Sequence, residues 1–207
     1  KLYNRLHAIN FGVYGASQAG KTTLHKQLMT RGEVPEIKKR TVGRHRATRK
    51  FVKLDGDAHT VKTADIGGQT VYWEEWIRDM RGRHVKYIIF LFDDRHLDKH
   101  YDIEQQLSWT FLVDTICNPY WESGGRKKKK QEHDYPLAVG LWANKYDLWK
   151  DKYPFDGKIE NHPIFESFKP GLQKLNETGI PCHKYIVSAK SDSEMVYRGI
   201  LTMIKDY

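Results

Sequence analysis

Gly15-Ala16-Ser17-Gln18-Ala19-Gly20-Lys21-Thr22 decides how this chain is read, because it fits the phosphate-loop pattern G-x-x-x-x-G-K-[ST]. The apolar run Ala8–Tyr14 leads into it as a buried strand, and Thr22-Thr23-Leu24-His25-Lys26-Gln27-Leu28-Met29 follows as the opening of a helix. Strand, glycine loop and helix, in that order, are the setting the pattern requires. The glycines let the backbone curl so that successive N–H groups, from Gly15 through Thr23, point inward at a chain of phosphates. The positive end of the helix adds to that field, and Lys21 reaches the outer phosphates as a point charge. The Thr22 hydroxyl is placed for Mg²⁺.

At 207 residues the chain has ample length for one buried core, and a hydrophobic share of 39% excludes a disordered chain. A formal charge of +9 favours anionic partners: nucleotides, acidic proteins, anionic membrane or nucleic acid. Much of the excess sits in two local runs, Lys38 to Lys53 and Arg126 to Lys130, so no uniformly basic nucleic-acid face is required and nucleic acid is not the expected partner. Cys117 and Cys182 lack metal-ligand spacing and are expected as free thiols in a reducing compartment. No run approaches the roughly 20 apolar residues of a membrane span. A cytoplasmic protein is expected, with peripheral contact to an anionic membrane through the basic segments as its further option.

Strand-like runs at about Ala8–Tyr14, Thr48–Leu54, Thr60–Asp65, Lys86–Phe92, Leu137–Trp142 and Lys184–Val187 alternate with helical stretches. The helices are expected near Lys21–Thr30, Val71–Arg81, Ile103–Cys117, Pro163–Asn176 and Ser193–Lys205. The turn Leu54-Asp55-Gly56-Asp57 makes the second and third strands an antiparallel hairpin. The remaining alternation predicts an α/β domain over 1–207: a mostly parallel six-stranded sheet with helices on both faces. A basic insertion is expected at about 118–135, read first as a solvated surface loop. Trp73, Trp76, Ile77 and Met80 share one helix face as a core stripe, with Tyr72 turned elsewhere. The histidines are scattered without metal-like clustering and receive no role.

Ligands of such sheets lie at the carboxyl ends of the strands, and the remaining candidates follow strand ends. In Asp65-Ile66-Gly67-Gly68-Gln69, the aspartate can hold Mg²⁺ opposite Thr22. The Gly68 N–H can approach a terminal phosphate, and Gln69 can orient an attacking water. In Asn144-Lys145-Tyr146-Asp147, the Asp147 carboxylate can accept two hydrogen bonds from the guanine ring N–H and exocyclic amine, a pair adenine lacks. Asn144 ties the base edge to the phosphate loop, and the Lys145 stem lies against the ring. Ser188-Ala189-Lys190 offers backbone N–H groups to the guanine oxygen.

Taken in order, Gly15–Thr22, Thr41, Asp65–Gln69, Asn144–Asp147 and Ser188–Lys190 resemble the motifs of the Ras-superfamily small GTPases over nearly the whole chain. Asp-x-Gly-Gly-Gln, with Thr41-Val42-Gly43 and Phe90-Leu91-Phe92-Asp93, looks most like the Arf-like, signal-recognition-particle-receptor-β and Gα branch. The resemblance implies a P-loop NTPase fold of the small G-domain type, GTP and GDP binding, Mg²⁺ dependence and slow hydrolysis. It also implies two switch regions that answer to effector, exchange-factor and GTPase-activating proteins. Thr41 is then the switch threonine that reaches Mg²⁺ and the terminal phosphate, with Thr48 as its rival. Thr22, Thr41 and Asp65 form the metal set, and Gln69, Lys21 and Thr41 the catalytic one. Ser17 and Gln18 stand where some relatives have glycine, and Arg40 or Arg44 is open to the role of a cis arginine. A constitutively nucleotide-bound docking or dimerising module is the alternative, and Asn144–Asp147 speaks against an ATPase or kinase.

Overall fold

Tyr87-Ile88-Ile89-Phe90-Leu91-Phe92 forms a strand in which every side chain is buried, the signature of a parallel sheet covered on both faces. The computed structural model describes residues 9–30, 34, 41–54, 57–97, 103–118 and 136–205. Its strands are β1 (Ile9–Tyr14), β2 (Thr48–Leu54), β3 (Asp57–Thr63), β4 (Tyr87–Phe92), β5 (Ala138–Ala143) and β6 (Cys182–Ile186). They lie in the order β2-β3-β1-β4-β5-β6. Five strands run parallel, β3 and β4 flanking β1, with β5 and β6 following outward from β4. β2 pairs antiparallel with β3 at the edge. The expected Asp55-Gly56 turn and the basic insertion's residues 119–135 lie outside the described residues.

The helices are α1 (Lys21–Thr30), α2 (Trp73–Arg83), α3 (Ile103–Cys117), the single turn α4 (Tyr146–Trp149), α5 (Lys169–Glu177) and α6 (Ser193–Lys205). Period-two alternation along β4 divides the core. Ile88, Phe90 and Phe92 point to a layer built by Trp76 and Met80 of α2, Trp109 and Leu112 of α3, and Leu175 of α5. Ile89 and Leu91 point the other way, to Leu24 and Leu28 of α1 and Val196, Ile200 and Met203 of α6. The sheet is therefore flanked by helices on both faces. Among the described residues, no helix is long and apolar enough to cross a membrane.

Two helices differ from the sequence reading. The stretch expected as one helix from Pro163 is a 3₁₀ segment, Pro163–Phe168, followed by α5. Pro170 explains the break, since it lacks the N–H an interior position would donate and is tolerated only in a first turn. The helix after Gln69 likewise opens with a 3₁₀ turn, Thr70–Tyr72, before α2 begins.

At the joint of α3, α5 and β4, Phe168 meets the rings of Phe90, Phe92, His96 and Trp109. Its carbonyl accepts the Trp109 indole N–H at 3.2 Å. Truncating Phe168→Ala leaves a cavity ringed by rigid aromatics that cannot collapse into it. The variant should lose about 3–5 kcal/mol of stability in urea unfolding.

Candidate functional site

The backbone of the Gly15–Thr22 loop adopts conformations that L side chains resist. Gly15 has φ +140° and Gly20 φ +97°, and Gln18, at φ +63°, also lies in the left-handed region. A Cβ on Gly15 would collide with the Leu91 carbonyl, and one on Gly20 with the Asn144 amide. The loop thus lies close on the end of β4 and beneath Asn144. Lys21, Thr22 and Thr23 are the first residues of α1, so helix geometry leaves their N–H groups without intrahelical partners.

Lys21 is 6% exposed, and its ammonium donates to the Ala16 carbonyl at 2.6 Å. Burial pulls its pKa down to about 8, with Asp65 and Glu104 opposing that shift. Gly68 packs against it so closely that a Cβ there would overlap the ammonium nitrogen. A buried ammonium held by one carbonyl, among helix-start N–H groups, is an arrangement that an anion would complete.

Three side chains from three separate segments converge beside it. Thr22 Oγ1 lies 2.8 Å from Thr41 Oγ1 and 3.1 Å from Asp65 Oδ1, and Thr41 Oγ1 lies 3.2 Å from Asp65 Oδ2. Two hydroxyls and a carboxylate make an all-oxygen donor set, the chemistry a hard divalent cation such as Mg²⁺ selects. Thr48, the rival for the switch position, bonds His25 at 3.3 Å instead. The Thr41 segment is laid along the Asp65 segment by an Arg44–Ile66 bridge, His45 N–H to Asp65 O at 2.9 Å, and Gly67 N–H to Gly43 O at 2.9 Å. Gln69 is half-buried and stands before the 3₁₀ turn without capping it.

Asn144 is the bridge to the other end of the site. Its buried amide donates to Ala19 O at 3.0 Å and accepts from Ala189 N–H at 2.9 Å, joining the phosphate loop to the Ser188–Lys190 segment. The Trp149 indole N–H holds the Asn144 carbonyl at 2.7 Å. Ser188 Oγ accepts the Asp147 N–H at 3.0 Å, so these two segments are also tied to each other. The Asp147 and Lys190 side chains are exposed at this edge. Lys145, at φ +63°, turns the chain into α4 and sends its ammonium to Asp93 at 2.6 Å.

Arg44, one residue open to a cis-arginine role, is engaged elsewhere. Its guanidinium pairs with Asp79 at 2.9 Å. Asp79 is 0% exposed and also binds Arg83 through both carboxylate oxygens and accepts the Tyr14 hydroxyl at 2.9 Å. Burial and the neighbouring Asp79 push the Tyr14 phenol well above its ordinary range, so it stays a donor. Arg40 lies outside the described residues, as do Lys38 and Lys39. Sequence reading missed Asp79, Asp93, Arg95 and Glu104; the last accepts the Ser17 N–H at 3.4 Å. Of these, Asp79 carried a signal: it sits between Trp76 and Met80 on the apolar face of α2, where a carboxylate requires buried partners.

No family model matches the chain, and no curated protein matches it.

Two substitutions check this geometry. Asp79→Ala strands the buried Arg83 guanidinium and should cost about 3–5 kcal/mol in denaturant unfolding. Gly20→Ala meets both a positive φ and the Asn144 amide, and should cost at least ~1–2 kcal/mol. Its tryptophan fluorescence should also change, because Trp149 holds Asn144.

Proposed function

We propose that the chain is a GTP-binding and GTP-hydrolysing molecular switch, built on a six-stranded P-loop domain of the small G-domain type. The observation that carries this reading is the convergence of Thr22, Thr41 and Asp65 oxygens beside the buried Lys21 ammonium. No general folding requirement brings two hydroxyls and a carboxylate from three segments to one point next to a buried cation. Mg²⁺, when bound, would neutralise phosphate charge at these oxygens.

Lys21 and the helix-start N–H groups hold the outer phosphates, and the Gly68 N–H meets the terminal one. Gln69 orients the attacking water. Asp147 selects guanine by accepting from the base's ring N–H and exocyclic amine, while Asn144 keeps the base segment and the phosphate loop in register. Thr41 and Gly68 respond to the terminal phosphate from two segments that pair with each other, so loss of that phosphate releases both. Val42 and Val71, each next to one of these segments, are exposed apolar residues, and they suit a surface that partners read in one nucleotide state. With Arg44 committed to Asp79, a catalytic arginine would come from Arg40 or from a partner, and turnover is slow without one.

Single-turnover phosphate release from GTP-loaded protein tests this reading. Lys21→Ala should retain no nucleotide. Gln69→Leu should retain it and slow release by on the order of a hundredfold. Equal release by Gln69→Leu and the parent would remove Gln69 from the reaction, and retention with no release by the parent would favour the docking module.

A further inference from the structure

Asp93 follows β4 at the end of Phe90-Leu91-Phe92-Asp93 and is 1% exposed, yet the sequence reading gives it no role. Its Oδ1 accepts Arg95 Nε at 2.7 Å and Gln105 Nε2 at 2.8 Å, and its Oδ2 accepts Lys145 Nζ at 2.6 Å. Its own N–H donates to Gln105 Oε1 at 3.0 Å, so α3 fixes the carboxylate from the side. Arg95 spans further: its Nη2 donates to the Ser17 carbonyl of the phosphate loop at 2.9 Å. Burial pushes the Asp93 carboxyl up, but the Lys145 and Arg95 charges prevail and hold it below its ordinary range. One buried anion therefore gathers two cations, one from the base-recognition segment and one gripping the loop that would cradle the phosphates.

We propose that Asp93 and Arg95 are positioning residues for the nucleotide. The inference rests on the nucleotide reading above. A lysine ammonium on a four-carbon stem has many orientations, and a buried carboxylate at 2.6 Å selects one of them. Arg95 uses the fork of its guanidinium to hold Asp93 on one side and Ser17 on the other, which a lysine cannot reproduce. The distance between the loop and the Lys145 stem is thereby set before any ligand enters. Phosphates and purine meet a site already spaced for both, and less ordering is left for binding to supply.

Release of fluorescently labelled GDP into excess unlabelled GDP measures this. The Arg95 side chain is 33% exposed, so Arg95→Ala should fold and melt within a few degrees of the parent. It should release GDP about tenfold faster, the effect of losing the charge-assisted hydrogen bond that holds Ser17. Arg95→Lys should recover less than half of that loss, because charge without the fork does not suffice. Arg95→Ala combined with Lys145→Ala should accelerate release by less than the product of the two single effects, since both act through Asp93. Should Arg95→Ala melt far below the parent, Arg95→Gln, which keeps an amide donor, carries the same comparison. Release within twofold of the parent, full recovery by Arg95→Lys, or single effects that multiply would each overturn the proposal while leaving the nucleotide reading intact. A parent that retains no GDP removes the nucleotide reading and this inference with it.

Discussion

A lysine ammonium buried at the start of a helix, with a single carbonyl at hydrogen-bond distance among the described residues, constrains everything around it. Isolated buried charge is among the costliest features a fold can carry. Here burial already weakens the charge, drawing its pKa down to about 8. Asp65 and Glu104 oppose that shift without cancelling it. Helix-start N–H groups and the glycine loop lie beside the ammonium as well. An arrangement of that kind stabilises an incoming anion better than it stabilises itself.

The fold serves this point in two ways. The first is rigidity along the strand ends: Asn144 joins the loop to the Ser188–Lys190 segment, and Asp93 joins it to Lys145 through Arg95. The central residue of each bridge, Asn144 or Asp93, is buried, where hydrogen bonds are strong and leaving a partner unpaired is costly. The second is a connection away from the site. The Thr41 and Asp65 segments pair through backbone hydrogen bonds, and Arg44 carries that pairing to α2 through Asp79. A backbone pairing and one ion pair thus connect the Thr41 segment to a helix of the hydrophobic core.

Much of this was legible from residues alone. Whereas Thr41 was placed with Thr22 and Asp65 by the resemblance, the strand, loop and helix order around Gly15–Thr22 and the parallel alternation follow from patterns with a local physical cause. The Trp73, Trp76, Ile77 and Met80 stripe does too, and it packs on the core. What escaped was long-range and charged. Nothing local announces that Arg44 reaches Asp79, or that Arg95 reaches across from β4 to Ser17, because ion pairs carry no periodicity. The split of the Pro163–Asn176 stretch is locally encoded in Pro170. Asp79 was hidden as a carboxylate inside an otherwise apolar helix face.

The measurement closest to the central claim is a calorimetric titration of nucleotide-free protein with GDP and with ADP, both with Mg²⁺. The account predicts that GDP binds and that ADP binds at least about a hundredfold more weakly, because the exposed Asp147 carboxylate is left without its two donors by adenine. Equal affinity for the two, or no heat from either, would contradict it.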